Sequence, residues 1–161
     1  MHYNFGIQWL KAFRESADAV CRLYGPGDDF LFEDPMLDQH QVRTQAELHR
    51  LFAPYANKDR SNGIGVHNFR IRSYIGNRRF GLLRWEWSPE DAAVFLGLDV
   101  KNKPFTTMGH TFHVYGEDGL IRRESSWWDA AKVLRASGIA KPSKILTGAP
   151  LFGIDLKGAG M

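Results

Sequence analysis

The sequence predicts an α+β fold in which N-terminal helices pack on one face of a curved antiparallel sheet. Two observations predict it. Apolar residues recur at helical spacing in the first third of the chain, and from Gly65 onward strand patterns alternate with turn signals. Long, curled strands closed by amphipathic helices would form a cone, and we expect the interior of that cone to be a pocket.

Composition limits the classes of protein to consider. The 161 residues are 43% hydrophobic and 24% charged, enough for a core without disulfide or metal staples. No apolar run approaches the ~20 residues of a membrane-spanning helix. The net charge of +3 comes from scattered cations, so no nucleic-acid surface is expected. A single cysteine, Cys21, and an N-terminus without a leader pattern predict a cytoplasmic location.

Two helices are expected before the main sheet. The first has an apolar stripe that breaks around Glu15–Ser16, and a Gly-Pro-Gly-Asp segment ends it. The stripe consists of Trp9, Ala12, Phe13, Val20, Leu23 and Tyr24. The second helix begins at Thr44, because Thr44 and Glu47 have the spacing of a capping box, and it continues through Phe52.

The strands come in two groups. A short strand over Phe30–Phe32 lies between the helices and ends at Pro35. The later strands are predicted at Val66–Ile75, Phe80–Ser88, Val94–Val100, Phe105–Tyr115 and Leu120–Trp128. Gly76-Asn77 has the composition of a two-residue hairpin turn between the first two of these later strands.

A last short helix is expected to close the domain. Asp129 is placed to cap a helix over Ala130–Ala136, and Gly138 is placed to end it. The domain therefore covers residues 1–138. Residues 139–161 have the composition of an irregular tail, which we expect to be a lid over the cone or a dimer contact.

Several local patterns occur in one order along the chain. They are Trp9 with Ala12 and Phe13, Leu23-Tyr24, Phe32-Glu33-Asp34-Pro35, Arg84-Trp85-Glu86-Trp87, Gly119-Leu120-Ile121 and Glu124-Ser125-Ser126-Trp127-Trp128-Asp129. In this order the chain resembles the nuclear transport factor 2-like superfamily, in its SnoaL-like polyketide cyclase and ketosteroid isomerase-like branch. The resemblance covers about residues 5–138 and implies a homodimer as well as the cone-shaped fold.

The resemblance implies a catalytic role for Asp34. In ketosteroid isomerases a Glu-Asp-Pro sequence at the end of the first strand holds the general base, and here Glu33-Asp34-Pro35 is that sequence. A carboxylate held among aromatic rings loses hydration, so its pKa is expected to rise towards values useful for proton transfer. The alternative is that Asp34 only caps the turn before Pro35 with its side-chain oxygen.

Other positions depart from that branch. Ketosteroid isomerases stabilise the enolate with a tyrosine and a protonated aspartic acid, and the matching positions hold Trp9 or Gln8 and Thr111. An indole N–H and a hydroxyl are weaker acids, so steroid isomerisation by that mechanism is not expected. The Asp–Arg–Asp set of limonene epoxide hydrolase-like members would fall partly on Ser126 and Thr111, which excludes epoxide hydrolysis of that type.

Strand alternation sorts the remaining polar residues by face. We expect Thr111 and His113 to face the cavity and His110 to face away, although a one-residue slip would exchange the two histidines. On the last strand, Trp128 matches a pocket residue of the branch, which places alternate residues inward as well. The predicted polar set is Asp34, Thr111, His113, Glu124 and Ser126, walled by Tyr24, Phe52 and Trp128.

These residues predict a cofactor-independent enzyme for a small apolar carbonyl compound, such as a polyketide or terpenoid intermediate. Asp34 would remove a proton beside the carbonyl, and His113 or Tyr24 would hydrogen-bond the enolate oxygen. Isomerisation, cyclisation and dehydration share that step. The alternatives are that His113 is a half-buried strand residue with a backbone partner and that Glu124 pairs with Arg122 or with a cation on a neighbouring strand. A non-catalytic ligand-binding or dimerisation module of the same fold remains the second hypothesis.

No metal or other cofactor is expected. His110 and His113 face opposite sides of one strand, and no pattern of metal-ligand spacing occurs. A homodimer is expected through the outer face of the sheet. Trp85 and Trp87 share one face of their strand, so they either belong to that interface or fill the core against the helices.

Overall fold

The computed structural model describes residues 2–27, 29–36, 40–95, 97–100 and 104–138. The helices are α1 (His2–Glu15), α2 (Ala17–Cys21), α3 (Gln45–Phe52) and α4 (Ala130–Ala136). The strands are β1 (Leu31–Asp34), β2 (His40–Val42), β3 (Val66–Gly76), β4 (Phe80–Glu90), β5 (Val94–Phe95), β6 (Leu98–Asp99), β7 (Thr107–Tyr115) and β8 (Ile121–Trp128). The predicted α+β class is therefore confirmed, and the tail at 139–161 lies outside the described residues.

The main sheet has six strands in the order β2-β1-β8-β7-β4-β3. All its neighbouring strands are antiparallel except β1 and β8, which are parallel. The expectation of a wholly antiparallel sheet is wrong at this one pair. The parallel pairing places the end of β1 beside β8, so Asp34 lies next to the residues of β8. A bulge between Ile71 and Ser73 interrupts the long β3–β4 ladder, and such a bulge bends the strand that carries it.

Local signals explain where the helices begin and end. Ser16 caps α2 with its hydroxyl, which accepts from the Ala19 amide, so the predicted break after α1 is confirmed. The capping box of Thr44 and Glu47 is present at the start of α3. Asp129 accepts from the Lys132 amide at the start of α4.

Two strand predictions are corrected. The segment predicted as one strand over 94–100 is instead a small hairpin, β5 and β6, because the chain reverses at Gly97, whose φ is +74°. The expected two-residue turn at Gly76-Asn77 is longer, since Gly76 pairs with Gly81. The Asn77 side chain accepts from the Arg79 amide and so forms an Asx turn inside the loop.

The core lies between the helices and the inner face of the sheet. Trp85 and Trp87 are buried there, 7% and 4% exposed, so they are core residues and do not form an exposed interface. Gly109 of β7 makes room for one of them, because a Cβ at this position would lie 2.3 Å from the Trp85 ring. The tryptophan ring therefore lies directly over the β7 backbone.

Candidate active site

A cavity of about 110 Å³ lies between α1, α3 and the inner face of the sheet. It approaches the ~150 Å³ of an engineered cavity that holds benzene, so it has room for a small ring compound. Aromatic rings form most of the wall. The described polar residues of the wall are Asp34, His67, Thr107, Thr111, Glu124 and Ser126.

Asp34 ends β1 at the wall of this cavity and is 6% exposed. Its Oδ1 accepts from the Met36 amide at 2.9 Å, so Asp34 caps the turn at Pro35. The Trp128 indole N–H donates to the same carboxylate, 3.0 Å from Oδ2 and 3.2 Å from Oδ1. Burial among rings disfavours the charged form of Asp34, and these donors favour it. The side chain thus has a fixed orientation in the cavity wall.

Glu124 is a second carboxylate in the wall, and it is 1% exposed. Its Oε2 lies 2.5 Å from the Tyr24 hydroxyl and 2.8 Å from His113 Nε2. Its Oε1 accepts from Ser126 at 3.1 Å. Tyr24 and Ser126 donate to this carboxyl group, and His113 shares a hydrogen bond with it.

The expected alternative, an ion pair between Glu124 and Arg122, is wrong. A register shift between Val114 and Tyr115 displaces β8 beside Arg122, and the guanidinium pairs with Asp29 and Asp118 instead. The partners of Glu124 are instead Tyr24, His113 and Ser126.

His113 faces inward as predicted, with no exposed surface, while His110 is exposed on the other side of β7. The Nδ1 atom of His113 lies 3.3 Å from the Tyr115 hydroxyl. Neither His113 nor Tyr24 belongs to the described cavity wall, because both lie behind Glu124. Burial, the charge of Glu124 and the hydrogen bond to it raise the pKa of Tyr24 well above its usual value, against a small opposing effect of Trp9. Tyr24 therefore remains a hydroxyl donor.

The hydroxyl groups of Thr111 and Ser126 form a directed chain. Trp85 Nε1 can only donate, so Thr111 Oγ1 accepts from it at 2.9 Å. Ser126 donates to Glu124, and the 2.8 Å contact between the two hydroxyls is then a bond from Thr111 to Ser126. Both hydroxyl protons are used within the chain. Towards a ligand, Thr111 and Ser126 therefore present acceptor oxygens.

Phe52 lies in the cavity wall as predicted. Its ring is 5.5 Å from that of Phe32, 5.8 Å from that of Phe13 and 6.2 Å from that of Tyr24, between centroids. It joins α3 to the apolar side of the site.

His67 is a wall residue that the sequence analysis missed. It is 3% exposed, and its Nδ1 accepts from Trp87 Nε1 at 3.0 Å. Burial lowers its pKa to about 4, although the Ile64 carbonyl acts weakly in the opposite direction, so the ring is neutral near pH 7. Alternation from Phe69 along β3 could have placed His67 on the inner face.

Within the described part of the chain, no group of three side chains is arranged to hold a metal ion. None of the helices described has both the length and the apolar character needed to cross a membrane.

No protein-family model matches the sequence, and no curated protein is similar to it at a significant level. Solved structures are similar in fold. One is a protein with a ketosteroid isomerase-like fold from Catenulispora acidiphila, in complex with trimethylamine: TM-score 0.67, 14% identity, 88% of this chain and 100% of that one covered. Another is a candidate SnoaL-like polyketide cyclase from Shewanella putrefaciens: TM-score 0.68, 9% identity, 86% of both chains covered.

A third similar structure is an epoxide hydrolase from M. tuberculosis of the limonene epoxide hydrolase-like type, with a TM-score of 0.57, 15% identity and 83% of this chain and 86% of that one covered. These identities show a shared architecture and leave the activity open. The chain has the nuclear transport factor 2-like fold, which is also that of SnoaL-like polyketide cyclases and ketosteroid isomerase-like proteins.

Proposed function

We propose that the protein is a cofactor-independent acid/base enzyme that acts on a small, largely apolar carbonyl compound, such as a polyketide or terpenoid intermediate. The observation that carries the proposal is the Asp34 carboxylate, buried in the wall of an aromatic cavity and oriented by Trp128. The similar structures support small-molecule chemistry of this kind, since they include a candidate cyclase, an epoxide hydrolase and a protein that holds trimethylamine.

In the proposed reaction Asp34 removes a proton from the carbon beside the substrate carbonyl, and the C–H electron pair forms an enolate. The proton held between His113 and Glu124 passes through Glu124 to the enolate oxygen, which gives a neutral enol. His113 thus acts through Glu124, and Tyr24 positions both. Return of the Asp34 proton at another carbon, with return of the enol O–H proton to Glu124, re-forms the carbonyl and isomerises the substrate. Loss of a hydroxyl or closure of a ring would use the same intermediate.

Solvent hydrogen exchange tests this proposal without knowledge of the natural substrate. Cyclohexanone fits a cavity of this size, and deuterium uptake at its α carbons in D₂O is measured by proton NMR. We expect the wild-type protein to catalyse the exchange and Asp34→Asn to lower the rate about 10²–10⁴-fold, the usual contribution of a general base.

Glu33→Gln is the matched control. Glu33 is the neighbouring carboxylate, but its partners Arg123 and Ser125 lie on the other face of the sheet, so this variant should keep the exchange rate. Equal rates in Asp34→Asn and the wild-type protein would remove Asp34 from the mechanism. Exchange no faster than in buffer would favour a ligand-binding module.

We also propose that the protein forms a homodimer through the outer face of the sheet. Large apolar side chains are exposed there on β4, β7 and β8. They are Phe80, Leu82, Met108 and Trp127, each about 40% exposed in the single chain. Strand pairing places Leu82 opposite Phe112 and Trp127 opposite His110, so these side chains form one surface.

A further inference from the structure

The cavity has two polar ends. Glu124, Ser126 and Thr111 lie at one end, and Thr107 lies four residues away from Thr111 along β7, about 13 Å at 3.3 Å per residue. Thr107 pairs with Trp87, whose indole donates to His67. His67 therefore lies at the end of the cavity remote from the buried carboxylate cluster.

Most hydrogen-bond donors of the wall already have acceptors within the protein. The pairs are Trp85 with Thr111, Trp87 with His67, Trp128 with Asp34, Ser126 with Glu124, and Thr107 with the Asp129 carbonyl. Two buried wall nitrogens, Nε1 of Trp9 and Nε2 of His67, make no hydrogen bond of normal geometry within the described residues. The small effect on Tyr24 shows that the Trp9 indole is directed towards that hydroxyl.

The bond from Trp87 fixes the tautomer of His67. An indole N–H can only donate, so Nδ1 of His67 is an acceptor and carries no proton. The ring is neutral near pH 7 because its pKa is about 4, so its one proton is on Nε2. His67 consequently offers a single N–H donor of defined position.

The surroundings of this N–H are aromatic. The His67 ring centroid lies 5.1 Å from that of Tyr55, 5.3 Å from that of Trp87 and 5.8 Å from that of Phe95. A buried donor without a good acceptor is costly, so a ligand oxygen that accepts from it gains more than the same bond would give in water. The Ile64 carbonyl is the competing acceptor in the protein.

We propose that His67 determines ligand specificity by donating its Nε2–H to a carbonyl or ether oxygen of a small cyclic compound whose hydrocarbon body packs on Tyr55, Trp87 and Phe95. The inference deepens the proposed function. It rests on that function in one respect, that this cavity is the substrate site. It assigns the substrate a second acceptor oxygen at the end remote from Glu124. Cyclohexanone, which has one oxygen, then binds in two orientations, with its oxygen at His67 or at Glu124.

Binding of two probes of the same shape tests the inference. Cyclohexanone has the acceptor oxygen and methylenecyclohexane lacks it, and dissociation constants for both are measured by ligand-observed NMR. We expect the wild-type protein to prefer cyclohexanone about tenfold, the value of one good neutral hydrogen bond. His67→Phe should abolish the preference, and His67→Gln, which retains an N–H donor and an acceptor for Trp87, should restore part of it.

Thr107→Val is the matched control. It removes a wall hydroxyl whose proton is already used by the Asp129 carbonyl, so the preference for cyclohexanone should remain. Near-UV circular dichroism establishes that each variant is folded. Equal affinity of the two probes for the wild-type protein, or a full preference in His67→Phe, would overturn the inference.

Nitrogen NMR of the ¹⁵N-labelled histidine ring gives a second measurement that needs no variant. The spectrum at pH 7 should show the proton on Nε2, and cyclohexanone should shift the Nε2 resonance while methylenecyclohexane leaves it in place. A proton on Nδ1 would contradict the inference, as would an Nε2 resonance insensitive to cyclohexanone because the Ile64 carbonyl holds the proton.

The two proposals fail in different ways. A cyclohexanone-dependent shift of His67 without deuterium exchange would refute the enzymatic function and leave the ligand contact intact. Exchange that depends on Asp34, together with unchanged probe selectivity in His67→Phe, would refute the role of His67 alone.

Discussion

At the scale of single residues, the site consists of side chains whose protons are assigned by their neighbours. Trp128 and the Met36 amide direct donors at Asp34, and Tyr24, Ser126 and His113 surround Glu124. Each carboxylate is thereby held in one orientation. The cavity wall is therefore apolar except for a few polar side chains of fixed orientation.

The pH dependence of the free energy of unfolding measures the pKa of His67, another side chain of the cavity wall. The pKa of His67 is about 4 in the folded protein and about 6.5 in an unfolded chain, so below pH 6.5 the unfolded state takes up a proton that the folded state does not. The folded state therefore loses stability as the pH falls from 6.5 to 4. Between pH 7 and pH 5 this one group should lower the free energy of unfolding by about 2 kcal/mol.

Urea unfolding at the two pH values provides the measurement, with His67→Gln as the reference because it leaves the other titrating groups in place. Between pH 7 and pH 5, His67→Gln should lose about 2 kcal/mol less of its free energy of unfolding than the wild-type protein loses. The same loss in both proteins would show that folding does not lower the pKa of His67.

Alternation along β7 and β8 sufficed to predict that Thr111, His113, Glu124 and Ser126 face inward. It could not predict that His113 lies behind Glu124, because depth depends on the helix that covers the strand. His67 was missed for a related reason: its neutrality and its bond to Trp87 come from packing between residues 20 positions apart.

At the scale of elements, β4 packs against β7 because Gly109 of β7 has no side chain. Gly109 has no Cβ, and the Trp85 ring occupies the space above it, where its N–H reaches Thr111. The ring forms part of the cavity wall, so this close approach also shapes the site.

Gly109→Ala should therefore act on both stability and the cavity. A methyl group 2.3 Å from the ring forces Trp85 to move, and we expect a loss of about 1–3 kcal/mol in the free energy of unfolding together with weaker cyclohexanone binding. Chemical denaturation and the binding assay measure the two effects.

A double-mutant cycle with Trp85→Phe is the control for that substitution. The smaller ring relieves the contact with the added methyl group, while the Trp127 carbonyl, 2.6 Å from the same Cβ, stays in place. The double variant should therefore recover part of the loss and be more stable than the sum of the two single losses predicts. Strict additivity would show that the glycine is needed for another reason.

Sequence patterns predicted the elements that have local causes. The caps at Ser16, Thr44 and Asp129 lie where the hydroxyl and carboxylate residues indicated. The β5–β6 reversal, β2 and the parallel β1–β8 pair were not predicted, because a strand of two to four residues carries little periodicity and its partner is chosen by contacts across the whole chain.

At the scale of the whole molecule, the two faces of the sheet are different surfaces. The inner face is covered by helices and holds the cavity, while the outer face exposes Leu82, Met108 and Trp127 in the single chain. An apolar area of this kind favours association, and the proposed homodimer would cover it without blocking the cavity.

Sedimentation velocity tests the dimer. The wild-type protein should sediment as a dimer at micromolar concentration, and Met108→Glu should shift it to monomer, because a charge would be buried in the interface. Gln8→Glu adds the same charge at an exposed position of α1 and should leave the dimer intact. A monomeric wild-type protein would refute the interface.

The pairing of β1 with β8 also determines when, during synthesis of the chain, Asp34 can meet Trp128. Asp34 and the Trp128 indole that orients it are 94 positions apart in the chain, and the neighbouring strands that bring them together are the first and the last of the sheet in chain order. When three quarters of the chain has been synthesised, Asp34 is therefore present without its orienting partner. The contact between Asp34 and Trp128 can form only once synthesis of the final strand is complete, so truncated products of interrupted translation would lack it.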